Sequence, residues 1–158
     1  MSAVDSVLLI AFGGPEKPEE IRPFLRIVAA GRRIPPERLE EVADHYELIG
    51  GRSPLNELTG RQAEGLRRVL QREGISAPVY VAMRNWHPFF HETLAEMAAR
   101  GHRRALGLIL SAFQTEASWE RYMGDVAAAR EKVGPDAPEV GYAPAWFCLL
   151  YTSPSPRD

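Results

Sequence analysis

The stretch Ser6-Val7-Leu8-Leu9-Ile10-Ala11-Phe12-Gly13-Gly14-Pro15 decides the fold class of this chain. Its first part carries no charge and is apolar on both faces of an extended chain, which is typical of a strand buried inside a parallel sheet. The Gly-Gly-Pro run ends that strand, and it is neither a G-x-G-x-x-G fingerprint nor a phosphate-binding loop. Two adjacent glycines allow either a tight structural turn or the close approach of a flat ligand.

Further strand-like and helix-like stretches alternate outward from this point. Strands are predicted at 78–83 (PVYVAM), 105–113 (ALGLILSAF) and 139–146, and helices at 18–29, 36–49, 53–73, 88–100 and 115–133. Pro23 argues for a break or a late start in the first helix. Alternating strands and helices predict an α/β domain with a doubly wound parallel sheet. Ligands of such sheets bind at the carboxyl ends of the strands.

The composition narrows the function classes. The chain has 158 residues, 45% of them apolar and 25% charged, enough for one globular domain. A net charge of -2 gives no electrostatic case for a nucleic-acid partner. No apolar run reaches the roughly 18 residues of a membrane span, and no basic region precedes the first strand as in a secretory signal. Cys148 can form neither an internal disulfide nor a thiolate metal cage alone. These features favour a cytoplasmic location.

The segment Arg84-Asn85-Trp86-His87-Pro88 follows the second predicted strand and is the richest in chemistry. A cation beside aromatic rings suits a flat, anionic, conjugated ligand, because rings stack on its faces and a guanidinium pairs with its carboxylates. A helix-capping loop with Trp86 in the core is the alternative. His87 and His91 have the spacing of two metal ligands on one helix, but a helix that starts after Pro88 leaves His87 outside it, so no metal site is predicted.

Five groups of residues, in this order and spacing, resemble the ferrochelatase family over residues 6–146. They are Ala11-Phe12-Gly13-Gly14-Pro15 with Pro23-Phe24-Leu25; Gly31-Arg32 with Ile34-Pro35; His45-Tyr46 through Gly50-Gly51-Arg52-Ser53-Pro54-Leu55; Arg84-Asn85-Trp86-His87-Pro88; and Ser111-Ala112-Phe113 with Arg121-Tyr122. The resemblance implies a lyase of haem biosynthesis that inserts ferrous iron into a bent porphyrin. It also implies two similar Rossmann-like domains with a porphyrin cleft between them, of which this chain is the N-terminal one.

Carried over by position, the resemblance implies a porphyrin-binding set. Phe12 is expected at the pocket floor in a packing role only, because its ring cannot ligate iron where some members have tyrosine. His45 stands where other members have arginine. The apolar region 24–28 is expected at a cleft lip that touches the membrane in some members. The full set is Phe12, Arg32, His45, Tyr46, Ser53, Arg84, Asn85 and Tyr122.

The resemblance also implies what this chain lacks. The catalytic histidine and its partner glutamate of the family are expected in the second half, so residues 1–147 are predicted to be an N-terminal chelatase domain that is inactive alone. Its partners would be the missing C-terminal half and the two substrates, Fe(II) and a porphyrin, with no permanently bound cofactor. Residues 148–158 (CLLYTSPSPRD) resemble a translated sequencing adaptor, and we expect a non-native tail there.

Three questions stay open at this stage. Coproporphyrin III and protoporphyrin IX are both candidate substrates. A non-catalytic tetrapyrrole-binding module is one alternative function. A related chelatase that loads cobalt or nickel into a sirohydrochlorin-type ring is the other.

Overall fold

A computed structural model describes residues 4–146 as an all-parallel four-stranded sheet with five α-helices around it. The strand order is β2-β1-β3-β4. The predicted tail at 148–158 lies outside the described residues. The elements are β1 (Ser6–Ala11), α1 (Ile21–Ala29), α2 (Pro36–Leu48), α3 (Leu55–Arg72), β2 (Val79–Met83), α4 (Phe90–Ala99), β3 (Arg104–Ile109), α5 (Arg121–Val133) and β4 (Glu139–Tyr142).

The central strand β1 is buried along its whole length, which explains its unbroken apolar sequence. Leu8 pairs with Tyr80 on one side and Gly107 on the other. On one face, Leu8 and Ile10 join a core with α4 and α5. On the other, Val7 and Leu9 pack with Ala63 of α3. Helices therefore cover both faces, and the predicted doubly wound α/β fold is confirmed.

The first predicted helix does begin late. A 3-10 turn, Pro18–Glu20, precedes α1, which starts at Ile21. Pro23 thereby falls in the first turn of α1, where backbone amides have no partner within the helix. The missing N–H of proline therefore removes no helical hydrogen bond.

Two predicted boundaries are wrong, the carboxyl ends of β3 and β4. β3 ends at Ile109 and β4 at Tyr142. The indole nitrogen of Trp146 donates to the Ile109 carbonyl (3.0 Å), and that of Trp119 donates to the Ser111 carbonyl (2.9 Å). These two carbonyls therefore bind indole side chains and not the backbone amides of a neighbouring strand. The predicted helix 115–133 starts as a π-helical segment, Glu116–Glu120, capped by Thr115.

One half of the α3 face of the sheet has little cover. α3 packs on β2 and β1, and within residues 4–146 no helix lies over β3 on this face. The result is an open cavity of about 560 Å³, which we call the β3 groove. The groove is lined by Leu9, Gln62, Leu66, Leu108, Leu110, Ala143, Pro144, Ala145 and Trp146.

No helix in the described part of the chain is long and apolar enough to cross a bilayer.

Candidate functional site

Backbone hydrogen bonds beyond the ends of β1 and β2 fix the residues at the carboxyl edge of the sheet. The amide of Arg84 donates to the Ala11 carbonyl (3.0 Å), and that of Asn85 donates to the Phe12 carbonyl (3.0 Å). The buried Asn85 side chain donates to the same Phe12 oxygen (3.1 Å). Arg84 and Asn85 lie in a bend after β2, and their side chains have different partners: that of Arg84 contacts Asp125, and that of Asn85 binds the Phe12 carbonyl.

An aromatic cluster of Phe12, Phe24, Tyr46 and Trp86 forms one side of the edge. Phe24 is only 1% exposed and lies at the centre, with edge-on contacts to the other three rings at centroid distances of 6.4, 5.9 and 6.1 Å. Burial raises the pKa of the Tyr46 phenol. Phe12 is 39% exposed, so the cluster offers one accessible ring held on a packed base.

The orientation of Trp86 is fixed by a carboxylate. Its indole nitrogen donates to Oε2 of Glu20 (3.1 Å), and the backbone amide of Glu16 donates to the same oxygen (2.9 Å). Lys17 lies 3.6 Å from Oε1 of the same carboxylate. The 3-10 turn before α1 is thus tied to the end of β2.

A second group lies on the α5 side of the edge. Nε of Arg84 contacts Oδ2 of Asp125 at 2.6 Å, and the guanidinium lies 5.7 Å from the Tyr122 ring centroid. Burial raises the pKa of Tyr122 to about 12, with Asp125 adding to the rise and Arg84 opposing it. The phenol is therefore neutral near pH 7 and available as a hydrogen-bond donor.

The raised pKa of Tyr122 has a consequence for alkaline stability. Below pH 10 the phenol is protonated in both the folded and unfolded states, so its stabilising contribution is fully present. Between pH 10 and 12 the unfolded chain loses this proton first, and stability falls. We expect the free energy of unfolding of the wild type, relative to Tyr122→Phe, to drop by about 1 kcal/mol from pH 9 to pH 11. Urea denaturation at both pH values measures this, and an unchanged difference would contradict the assignment.

The loop after β1 is clamped from α3. The Ser53 amide donates to the Pro15 carbonyl (2.8 Å), and the Asn56 side chain donates to the Gly14 carbonyl (2.8 Å) and to Oε1 of Glu16 (3.0 Å). Ser53 also contacts the start of α3: its Oγ accepts from the amide of Leu55 (3.2 Å), the first helical residue, while Pro54 is the N-cap. Ser53 therefore serves the loop and the helix in this structure.

The structure divides the eight predicted binding residues. It joins Phe12 with Asn85, places Tyr46 beside them through Phe24, and joins Arg84 with Tyr122. Ser53 lies against Gly14. Arg32 and His45 are exposed, and within residues 4–146 no hydrogen bond or ion pair connects them to the other six. No group of three His, Cys, Asp or Glu side chains in the described residues could hold a metal.

The expected cleft lip at 24–28 is wrong for two of its residues. Phe24 and Leu25 are 1% and 5% exposed and pack between α1 and α2. Ile27, at 38% exposure, is the one large apolar side chain of this segment that the surface presents. Phe24 and Leu25 lie on the face of α1 that packs against α2, and Ile27 lies at the edge of that face.

Sequence analysis missed the partners of the site residues. Asp125 lies three residues after Tyr122 on α5, so helix spacing could have indicated that they share a face. In the sequence, Glu20 has only the pattern of an acidic residue at a helix start. No local signal connects it with Trp86, because the two meet only in the folded chain.

Known proteins match this chain over most of its length. The family model described as Ferrochelatase matches residues 4–148. The chain is 47% identical over 136 residues to the coproporphyrin III ferrochelatase of Mycobacteroides abscessus, covering 86% of this chain and 40% of that protein. It is 46% identical over 138 residues to that of Nocardia farcinica (87% and 39%), and 41% identical over 136 residues to the ferrochelatase of Rhodopirellula baltica (86% and 39%). The chain thus spans about two fifths of the length of these relatives. By these matches, the chain belongs to the ferrochelatase family.

Proposed function

We propose that this chain supplies a porphyrin-binding face of a ferrochelatase, an enzyme that inserts Fe(II) into a porphyrin. One observation carries the proposal: an accessible aromatic ring and a fixed arginine–tyrosine pair lie at the carboxyl edge of the two neighbouring strands β1 and β2. That edge is where open α/β sheets bind their ligands. Flat rings and anionic side chains are the two features of a porphyrin that such an edge would recognise.

Each residue then has a role that follows from its contacts. Phe12 contacts the porphyrin plane, and Asn85 holds the Phe12 backbone. Arg84 pairs with a propionate through the end of its guanidinium, since Nε is taken by Asp125. The phenol of Tyr122 donates a hydrogen bond to a second carboxylate oxygen of the porphyrin. We place Arg32, His45, Tyr46 and Ser53 at the rim of the same site.

Coproporphyrin III is the substrate that we favour over protoporphyrin IX. It is the more carboxylate-rich of the two, which suits the basic and hydroxyl groups of the edge. The names of the Mycobacteroides abscessus and Nocardia farcinica relatives point the same way. Fe(II) is the second substrate, and we propose no resident cofactor.

The removal of the pyrrole protons needs a base, and we assign it to the part of the enzyme that this chain does not span. We propose that this part carries the family's histidine and glutamate and that it covers the β3 groove. Two features support the groove as its seat: its lining is mostly apolar, and the relatives are more than twice as long as the stretch that they share with this chain. We also propose that the enzyme is cytoplasmic. If it contacts a membrane at its surface, we propose that Ile27 makes this contact, since its side chain is 38% exposed.

The test of the proposed function is a chimera in which residues 4–146 replace the matching stretch of the Mycobacteroides abscessus relative. We expect it to insert Fe(II) into coproporphyrin III, and the 158-residue chain alone to insert none. Arg84→Gln in the chimera should lower kcat/KM about tenfold, because it removes a charged hydrogen bond to the substrate. Anaerobic absorbance assays measure both.

Arg100→Gln is the matched control. Arg100 also makes an ion pair, with Glu96 (2.8 Å), and lies 5.9 Å from the centroid of a tyrosine ring, that of Tyr80, but it lies at the end of α4. Its loss should change kcat/KM less than about twofold. A folded chimera without Fe(II) insertion, or one that prefers cobalt or nickel, would contradict the proposed function. Equal porphyrin affinity of the lone chain and the chimera would favour a binding module instead.

A further inference from the structure

We propose that Glu20 is a positioning residue of the porphyrin face: its carboxylate sets the orientation of Trp86 and, through Trp86, the aromatic cluster. The inference rests on the proposed function and adds a residue that touches no substrate.

Three groups converge on the Glu20 carboxylate. Oε2 accepts from the Trp86 indole (3.1 Å) and from the Glu16 amide (2.9 Å), while Oε1 lies 3.6 Å from Nζ of Lys17. The side chain is 21% exposed, so these contacts are partly shielded from water. Hydrogen bonds to an ionised acceptor are about twice as strong as neutral ones, which suits this carboxylate to hold an indole in one rotamer.

A helix-end charge alone does not explain Glu20. Glu19 is also acidic, lies in the same 3-10 turn and is exposed. A carboxylate at Glu19 interacts with the helix dipole as favourably as one at Glu20. Within residues 4–146, only Glu20 of the two reaches across to the segment after β2.

The contacts continue on both sides of Glu20. Glu16, whose amide binds Glu20, accepts from the Asn56 side chain through Oε1 (3.0 Å). Trp86, on the other side, meets the buried Phe24 ring at 6.1 Å, and Phe24 meets Phe12 at 6.4 Å. Glu20 therefore joins the loop after β1 to the base on which the accessible ring rests. Without the Glu20 carboxylate, the Trp86 indole loses its hydrogen-bond acceptor, and Phe24, on which the Phe12 ring packs, loses a fixed neighbour.

The first test is spectroscopic and uses the 158-residue chain. Its three tryptophans give three indole N–H resonances in a ¹⁵N spectrum, and Trp86→Phe identifies the one from Trp86. We expect Glu20→Ala to shift that resonance upfield and leave the other two in place, and Glu20→Gln, which keeps an acceptor, to restore part of the shift. Glu19→Ala is the matched control and should move none. An unmoved Trp86 resonance in Glu20→Ala overturns the inference.

The second test is a double-mutant cycle on coproporphyrin III binding, followed by quenching of porphyrin fluorescence. Glu20→Ala should weaken binding by up to about tenfold in the wild-type background, because the binding loss cannot exceed the worth of the charged hydrogen bond that holds Trp86 in place. In the Trp86→Phe background it should weaken binding less than about twofold, because its target is gone. A general loss of structure would lower affinity equally in both backgrounds, and that result overturns the inference.

The two tests also separate this inference from the proposed function. If neither Arg84→Gln nor Trp86→Phe changes porphyrin affinity, the proposed porphyrin face is wrong, whatever Glu20 does. If both weaken binding and Glu20→Ala does not, the face stands and the role of Glu20 is refuted.

Discussion

The Gly14→Ala variant is expected to lose about 3 kcal/mol of its free energy of unfolding, the upper part of the usual range for overpacking. A Cβ atom at this position would lie 2.5 Å from Cβ and 2.7 Å from Oγ of Ser53. Neither backbone can retreat easily, because the Ser53 amide binds Pro15 and Asn56 holds the Gly14 carbonyl. Guanidinium denaturation measures the loss.

Two further variants make this prediction specific. Gly60→Ala lies inside α3, where an added Cβ meets nothing within 4 Å, and should gain about 0.5–1 kcal/mol from helix propensity. Ser53→Gly removes both clashing atoms, so the double variant with Gly14→Ala should be more stable than the sum of the two single changes predicts. Additive losses would show that Ser53 is not the obstacle.

The 158-residue chain is expected to self-associate through the β3 groove. The half-buried side chains of Leu66, Leu108 and Leu110 leave apolar surface around a cavity of about 560 Å³, and contiguous apolar patches of this kind drive association in water. Sedimentation equilibrium should give an average mass that rises from one chain to two or more as the concentration rises. Leu108→Glu should return the protein to a monomer, because it places a charge at the centre of the patch.

Leu48→Glu is the control for this prediction. Leu48 is 83% exposed at the end of α2, away from the groove, so its replacement should leave the concentration dependence of the mass unchanged. A wild-type chain that stays monomeric and melts cooperatively at all concentrations would contradict the expectation. Equal relief by both variants would indicate general solubility instead of a groove contact.

The central sheet was predictable because burial leaves a strong mark on sequence. Ser6–Ala11 is inside on both faces and reads as an unbroken apolar run. The end of β3 was not predictable in the same way. The carbonyl of Ile109, its last residue, accepts from the indole of Trp146, which lies 37 residues later in the chain, and the Ser111 carbonyl beyond it accepts from the Trp119 indole. Local propensity carries no information about such tertiary bonds.

The candidate site also has features that the local sequence predicts and others that depend on tertiary contacts. The loop Arg84–Pro88 could be recognised because strand ends collect ligand-binding groups, and the structure gives Asn85 and Arg84 fixed positions there. That Trp86 lies against Phe24 and is anchored by Glu20 required α1 and β2 to be placed side by side. Porphyrin binding by all eight residues stays a prediction, and Arg32 and His45 are the two that the structure does not connect with the others.

The position of β1 in the sheet bears on how the protein is made. β1 is central, yet its partners come much later in the chain: Val7 pairs with Val79, and Ser6 pairs with Ala105. During translation this apolar strand leaves the ribosome before either neighbour exists, while α1, α2 and α3 are still being synthesised. Uncharged strands exposed in this way are prone to intermolecular pairing. The nascent chain thus presents a chaperone target at Ser6–Ala11 until β2 and β3 have emerged.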